Sequence, residues 1–215
     1  IMKIGLLLGS FDPIHIAHVN IASCVLNSGL CDKVLFVVAQ HNPWKENNPA
    51  PFDVRCDMIN ASIEAFDGKC EVCELEKDIE PPTYSYKVLE KLREIYPNDK
   101  LFLICGSDTI DAIPNWKKFE TSIKDKVGFI EVKRDDGTEI DNPTRPFIIY
   151  EGSRSSYTTK GFWYVKMQRM DASSTLVRSM ISKGMNPYPY VNQDVLRIIK
   201  RYNLYTDGKD KKSIQ

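Results

Sequence analysis

Ile4-Gly5-Leu6-Leu7-Leu8-Gly9-Ser10-Phe11-Asp12-Pro13-Ile14-His15-Ile16-Ala17-His18 is the stretch on which the fold turns. Ile4 to Leu8 is apolar enough for a buried strand, and Val19 to Leu26 reads as a helix. A glycine, a proline turn and two histidines therefore sit where a strand's carboxyl end meets a helix amino end. Free backbone N–H groups and the helix dipole converge at such a junction, so it suits an anion. His15 and His18 lie on one face of the first helical turn and can donate to the same phosphate chain. The same residues are also compatible with a plain strand, a turn and two helix-capping histidines.

Outward from this point, apolar runs alternate with helical patterns. Strands are expected at Lys3–Leu8, Lys33–Ala39, Cys70–Leu75, Leu101–Cys105, Val127–Val132 and Phe162–Met167. Helices are expected at Ala17–Asn27, Asp53–Ala65, Tyr84–Ile95, Trp116–Ser122, Ser173–Ser182 and Asn192–Tyr202. In the third, Tyr84, Val88, Leu89, Leu92 and Ile95 share a face. Such alternation implies an α/β fold, a parallel sheet covered on both sides, with ligands at the strand carboxyl ends. Arg134 to Gly161 breaks the rhythm and reads as an irregular excursion with one apolar island, Phe147 to Tyr150.

The chain of 215 residues suffices for one domain, expected over 2–206, with a charged tail at 207–215. Lys+Arg and Asp+Glu are 29 each, so no broad basic field marks a nucleic-acid partner. No apolar run reaches about 18 residues, and no signal-like start is seen; neither a membrane partner nor export is expected. Cys70-Glu71-Val72-Cys73 has metal-site spacing but lacks a second ligand pair, and on a strand the two thiols face opposite sides. No metal site of the protein's own is expected. Free, core-packed cysteines point to the cytoplasm.

Two further constellations lie downstream. Gly106-Ser107-Asp108 follows an apolar strand, with Pro114-Asn115-Trp116 beyond it. Gly106 permits close backbone approach to a ligand. Asp108 can cap a helix or accept from a ribose hydroxyl, and Trp116 can pack in the core or stack on an aromatic ring. Near the end, Ser173-Ser174-Thr175-Leu176-Val177-Arg178 opens a helix with hydroxyls and places a guanidinium one turn in, a second anion site.

Together these three stretches resemble the nicotinate/nicotinamide mononucleotide adenylyltransferases of the nucleotidyltransferase superfamily, whose first motif reads G-x-F-D-P-x-H-x-G-H. Asn42-Pro43-Trp44-Lys45, Arg55-Cys56-Asp57-Met58, Pro82-Thr83-Tyr84-Ser85 and Val195–Tyr205 resemble further family segments in the same order. The chain departs from the pattern at Leu8, Ser10, Ala17 and Trp44, and no proline follows Arg134. The resemblance implies a Rossmann-like doubly wound parallel sheet and transfer of AMP from ATP to a pyridine mononucleotide, with release of pyrophosphate. It implies that His15, His18 and Arg178 are catalytic. Gly9, Ser10, Phe11, His15, His18, Gly106, Asp108, Ser174, Thr175 and Arg178 would bind ATP. Ser10, Lys45, Thr83, Tyr84 and Trp116 would bind the mononucleotide, with Mg²⁺ bridging phosphate oxygens. The compact length and the Pro82–Ser85 and Asn42–Lys45 segments look more like the nicotinate-preferring branch. A phosphopantetheine adenylyltransferase, or a non-catalytic nucleotide-binding regulator on the same fold, stays open at this point, as does a homo-oligomer.

Overall fold

The computed structural model describes residues 1–40, 49–135 and 146–207. Seven strands form one sheet in the order β3-β2-β1-β4-β5-β7-β6. They are β1 (Lys3–Gly9), β2 (Lys33–Val38), β3 (Cys70–Cys73), β4 (Lys100–Gly106), β5 (Gly128–Asp135), β6 (Phe147–Gly152) and β7 (Phe162–Gln168). All neighbours pair in parallel except β6, which runs antiparallel to β7 at the edge. The expected parallel α/β sheet is therefore present, with one antiparallel strand added. The chain winds outward from β1 through β2 to β3, then returns to β4 on the other side. The carboxyl ends of β1 and β4 flank that reversal, the crevice where open α/β sheets hold ligands.

Period-two alternation along the strands builds two cores. Ile4, Leu6, Leu101, Leu103 and Phe129 point to one face, which α3 (Ser85–Ile95) covers with Val88, Leu89 and Leu92. Leu7, Phe102, Ile104 and Ile130 point to the other. There α1 (Ile16–Asn27), α2 (Phe52–Ile63), α5 (Ser174–Ser182) and α6 (Gln193–Arg201) supply the cover. A short α4 (Ser107–Ala112) follows β4 directly and buries Ile110.

Two expectations are corrected. Trp116–Ser122 is not an α-helix: a 3₁₀ turn at Ile113–Asn115 ends at an extended Trp116, and Lys118 turns left-handed at φ 57°. A single wide turn, Phe119–Ile123, comes next. Phe119 and Ile123 are both buried, so their spacing of four mimics a helical face that the backbone does not sustain. The Arg134–Gly161 excursion is also more regular than expected. β5 runs on to Asp135, and the Phe147 island extends into β6.

Candidate active site

The first motif occupies the carboxyl end of β1. Phe11 adopts φ 49°, and its ring folds back over Gly9, where a Cβ would come within 3.2–3.4 Å of three ring atoms. Glycine is needed there because that ring is buried, packed edge-on to His18 at 4.9 Å and tilted against Phe36 at 5.4 Å. Phe11 is therefore a prop beneath the turn, with its ring turned into the core.

The two histidines begin α1 as a reciprocal cap. His15 is the N-cap residue, and its Nδ1 accepts from the Ala17 N–H at 3.2 Å. His18 Nδ1 accepts from the His15 N–H at 3.3 Å. The rings stack at 3.8 Å. With each Nδ1 occupied as an acceptor, the proton of the neutral ring sits on Nε2, which becomes a donor. Burial, with a smaller push from Arg134, lowers the His15 pKa to about 4; burial, then the neighbouring His15, lowers His18 to about 3. At neutral pH the pair is two uncharged Nε2–H donors beside a helix amino end.

The carboxyl-terminal part of the chain closes on this turn. Ser173 caps α5 by accepting from the Leu176 N–H at 3.0 Å. Ser174 Oγ donates to the Pro13 carbonyl at 2.8 Å. The Arg178 guanidinium donates to the Asp12 carbonyl at 2.8 Å and to Thr175 Oγ1 at 3.4 Å. Asp12 Oδ1 accepts from the Ala50 N–H at 3.0 Å and the Tyr205 hydroxyl at 2.6 Å. The amino ends of α1 and α5 thus meet at one turn, and Ser174 and Arg178 brace it.

Arg178→Lys keeps the charge but loses the planar fork that spans Asp12 and Thr175. Both turnover and affinity for ATP are expected to fall, with KM for ATP rising about tenfold. Unchanged ATP kinetics in that variant would make Arg178 a spectator of the reaction.

Across the crevice, Gly106 caps α4, and a Cβ built on it meets nothing within 4 Å. Asp108 stands exposed in the first turn of that helix. Thr83 and Tyr84 immediately precede α3, and Tyr84 is its N-cap residue. Lys117, next to half-buried Trp116, lies over the Tyr84 ring at 4.5 Å, so these two segments meet. Lys45 and Trp44 lie outside the described residues. Cys70 and Cys73 pack into different cores on opposite faces of β3 and share no site.

Three polar residues here were not singled out as site residues by sequence. Arg134, at the end of β5, is close enough to depress the His15 pKa. Arg55 and Glu76 are buried beneath the sheet edge. A signal for Arg55 was present: it interrupts the apolar run Val54, Cys56, Met58, Ile59 of α2, where a charge needs partners.

A cytidylyltransferase-like family model matches residues 6–180. A probable nicotinate-nucleotide adenylyltransferase of Staphylococcus epidermidis is 30% identical over 206 residues, covering 95% of this chain and 98% of that protein. One from Methylacidiphilum infernorum is 29% identical, covering 94% and 91%. The Plasmodium falciparum nicotinic acid mononucleotide adenylyltransferase, solved with NaAD, superimposes with a TM-score of 0.72 at 22% identity, covering 95% of this chain and 98% of that one.

Proposed function

We propose, since the chain belongs to the cytidylyltransferase-like family, that it transfers the adenylyl group of ATP to nicotinate mononucleotide. The observation that carries this reading is the His15–His18 cap at the β1–α1 junction, facing the amino end of α5. The mononucleotide's 5′-phosphate oxygen attacks the ATP α-phosphorus in line. A new P–O–P bridge forms, the α–β bridge breaks, and pyrophosphate departs with the electron pair. The nucleophile is already anionic, so no general base is required. What remains is alignment and neutralisation of growing negative charge. His15 and His18 would donate from Nε2 to α- and β-phosphate oxygens. Arg178, with Thr175 and the free amides of α5, would hold the leaving pyrophosphate. Ser10 and the Phe11 backbone would line the turn that both phosphate chains share with Gly9. Gly106 and Asp108 would receive the adenosine ribose.

Mg²⁺ is proposed to arrive with ATP. Among the described residues no group of three or more His, Cys, Asp or Glu could hold it, and Asp12 Oδ1 is already engaged twice. Phosphate oxygens and water would then complete its octahedron. A cytoplasmic location is proposed on the six free cysteines, four of them buried.

The pyridine subsite would comprise Thr83, Tyr84 and Trp116, with Lys45 as a further phosphate contact. Nicotinate is expected to be preferred, because amides at the α3 amino end favour a carboxylate over an amide group. Lys117 over Tyr84 adds positive charge to that wall. About 1.4 kcal/mol in transition-state binding is a tenfold preference. The test is kcat/KM for nicotinate and nicotinamide mononucleotides under identical conditions. A ratio at or below one removes the preference. No dinucleotide from either substrate removes the adenylyl-transfer reading.

A further inference from the structure

Two charged side chains beneath the sheet edge belong to no part of the reaction described so far. Arg55 is 1% exposed and Glu76 6%. They make no direct ion pair with each other among the described contacts. Burying an unpaired charge is costly, so each must be held by hydrogen bonds.

Those bonds follow one line across the site. Arg55 donates four: from Nε to Ala50 O at 2.8 Å, from one terminal nitrogen to Ser10 O and Ala39 O at 2.7 Å each, and from the other to Gln40 O at 3.2 Å. Gln40 passes the line on, because its N–H donates to Glu76 Oε2 at 2.9 Å. The same Oε2 accepts from the Thr83 hydroxyl at 3.3 Å. The chain Ser10–Arg55–Gln40–Glu76–Thr83 thus runs from the phosphate turn after β1, under the ends of β1 and β2, to the start of α3. Every link between the two ends is buried or half-buried.

We propose that Glu76 is a positioning residue for the mononucleotide subsite, holding Thr83 and the α3 amino end in register with the Ser10 turn through Gln40 and Arg55. This rests on the adenylyl-transfer reading. It adds that the distance between the two substrate halves is set by this buried relay rather than by the surface loops. The relay fixes where the mononucleotide is seated, so loosening one end of it weakens the binding of that substrate without removing any group that touches it. A carboxylate suits the role because a single oxygen can accept from two donors. Its charge also adds a smaller share to that of Asp12 in stabilising the Arg55 guanidinium.

The asymmetry of the relay supplies the test. Glu76 contacts the mononucleotide side only, whereas ATP would lie against α1, α4 and α5. Glu76→Gln is nearly isosteric but removes the charge and turns one acceptor into a donor. It is expected to raise KM for nicotinate mononucleotide about tenfold and to leave KM for ATP within about twofold. Thr83→Val is expected to do the same, Thr83→Ser to restore most of the loss, and Glu76→Gln with Thr83→Val to be no worse than the poorer single variant. If Glu76→Gln does not fold, Glu76→Asp, which keeps the charge and shortens its reach, is read in the same way. Equal losses toward both substrates, or additive effects of the two changes, would overturn the relay. A wild-type protein that makes no dinucleotide would instead sink the adenylyl-transfer reading, so the two failures are distinct.

Discussion

His18→Ala is expected to fold and to lose about a hundredfold or more in kcat, the usual cost of deleting one aligned donor to developing phosphate charge. The geometry makes the loss chemical and not merely structural. The ring's Nδ1 is spent on the His15 N–H, and its Nε2–H is the group left for substrate. Removing the ring also removes a helix cap, which by itself costs about 1 kcal/mol of stability. His18→Gln separates the two contributions. Glutamine at this third helical position can accept from the N-cap N–H, as in a capping box, but cannot place a rigid donor where Nε2 stood. Melting temperature should therefore recover in His18→Gln, while turnover stays well below wild type. Near-normal turnover in His18→Ala would take His18 out of the mechanism and leave it a cap alone.

The same two rings show how far the sequence could be read. Two histidines three apart at a strand–helix junction follow from spacing, and so does their convergence on one spot. That each caps the helix with Nδ1 does not follow, because the cap depends on the extended His15 backbone, φ −144° and ψ 177°. The phosphate-site spelling was legible because glycine allows a tight turn, serine favours a helix N-cap, and an arginine one turn in offers phosphate a fork of donors. Ser174 and Arg178 bracing the Asp12–Pro13 turn was not legible, since those contacts join residues more than 160 apart in the chain. The Trp116–Ser122 helix failed for a local reason. Phe119 and Ile123 keep a helical spacing across a backbone that Lys118 has already turned left-handed. The buried relay was hidden for another reason. Glu76 sits in a polar stretch, Leu75-Glu-Lys-Asp78, where a carboxylate looks solvated, and only the fold brings Gln40 and Thr83 to it.

Stability is expected to fall steeply on mild acidification, and the histidine pair is the reason. In the unfolded chain both rings take up a proton near pH 6.5; in the folded protein they resist until about pH 4 for His15 and about 3 for His18. Both folded values are depressed, so above pH 6.5 neither state holds the proton and the rings contribute nothing to pH dependence. As pH drops below 6.5 the unfolded state gains protons that the native state refuses, and stability is lost. By pH 5 the loss is about 2 kcal/mol per ring, set by the 1.36 kcal/mol carried by each unit of displacement. Urea unfolding at pH 7.5 and pH 5 measures it, and His18→Gln should recover about half of the difference. A bound triphosphate reverses the sign of the argument. Its negative charge favours the imidazolium form, so ATP binding should raise both pKa values and blunt the acid loss. Equal losses between the two pH values in the wild type and in His18→Gln would mean that the rings are charged or solvated in the folded protein. The neutral-donor assignment for His15 and His18 would then have to be abandoned.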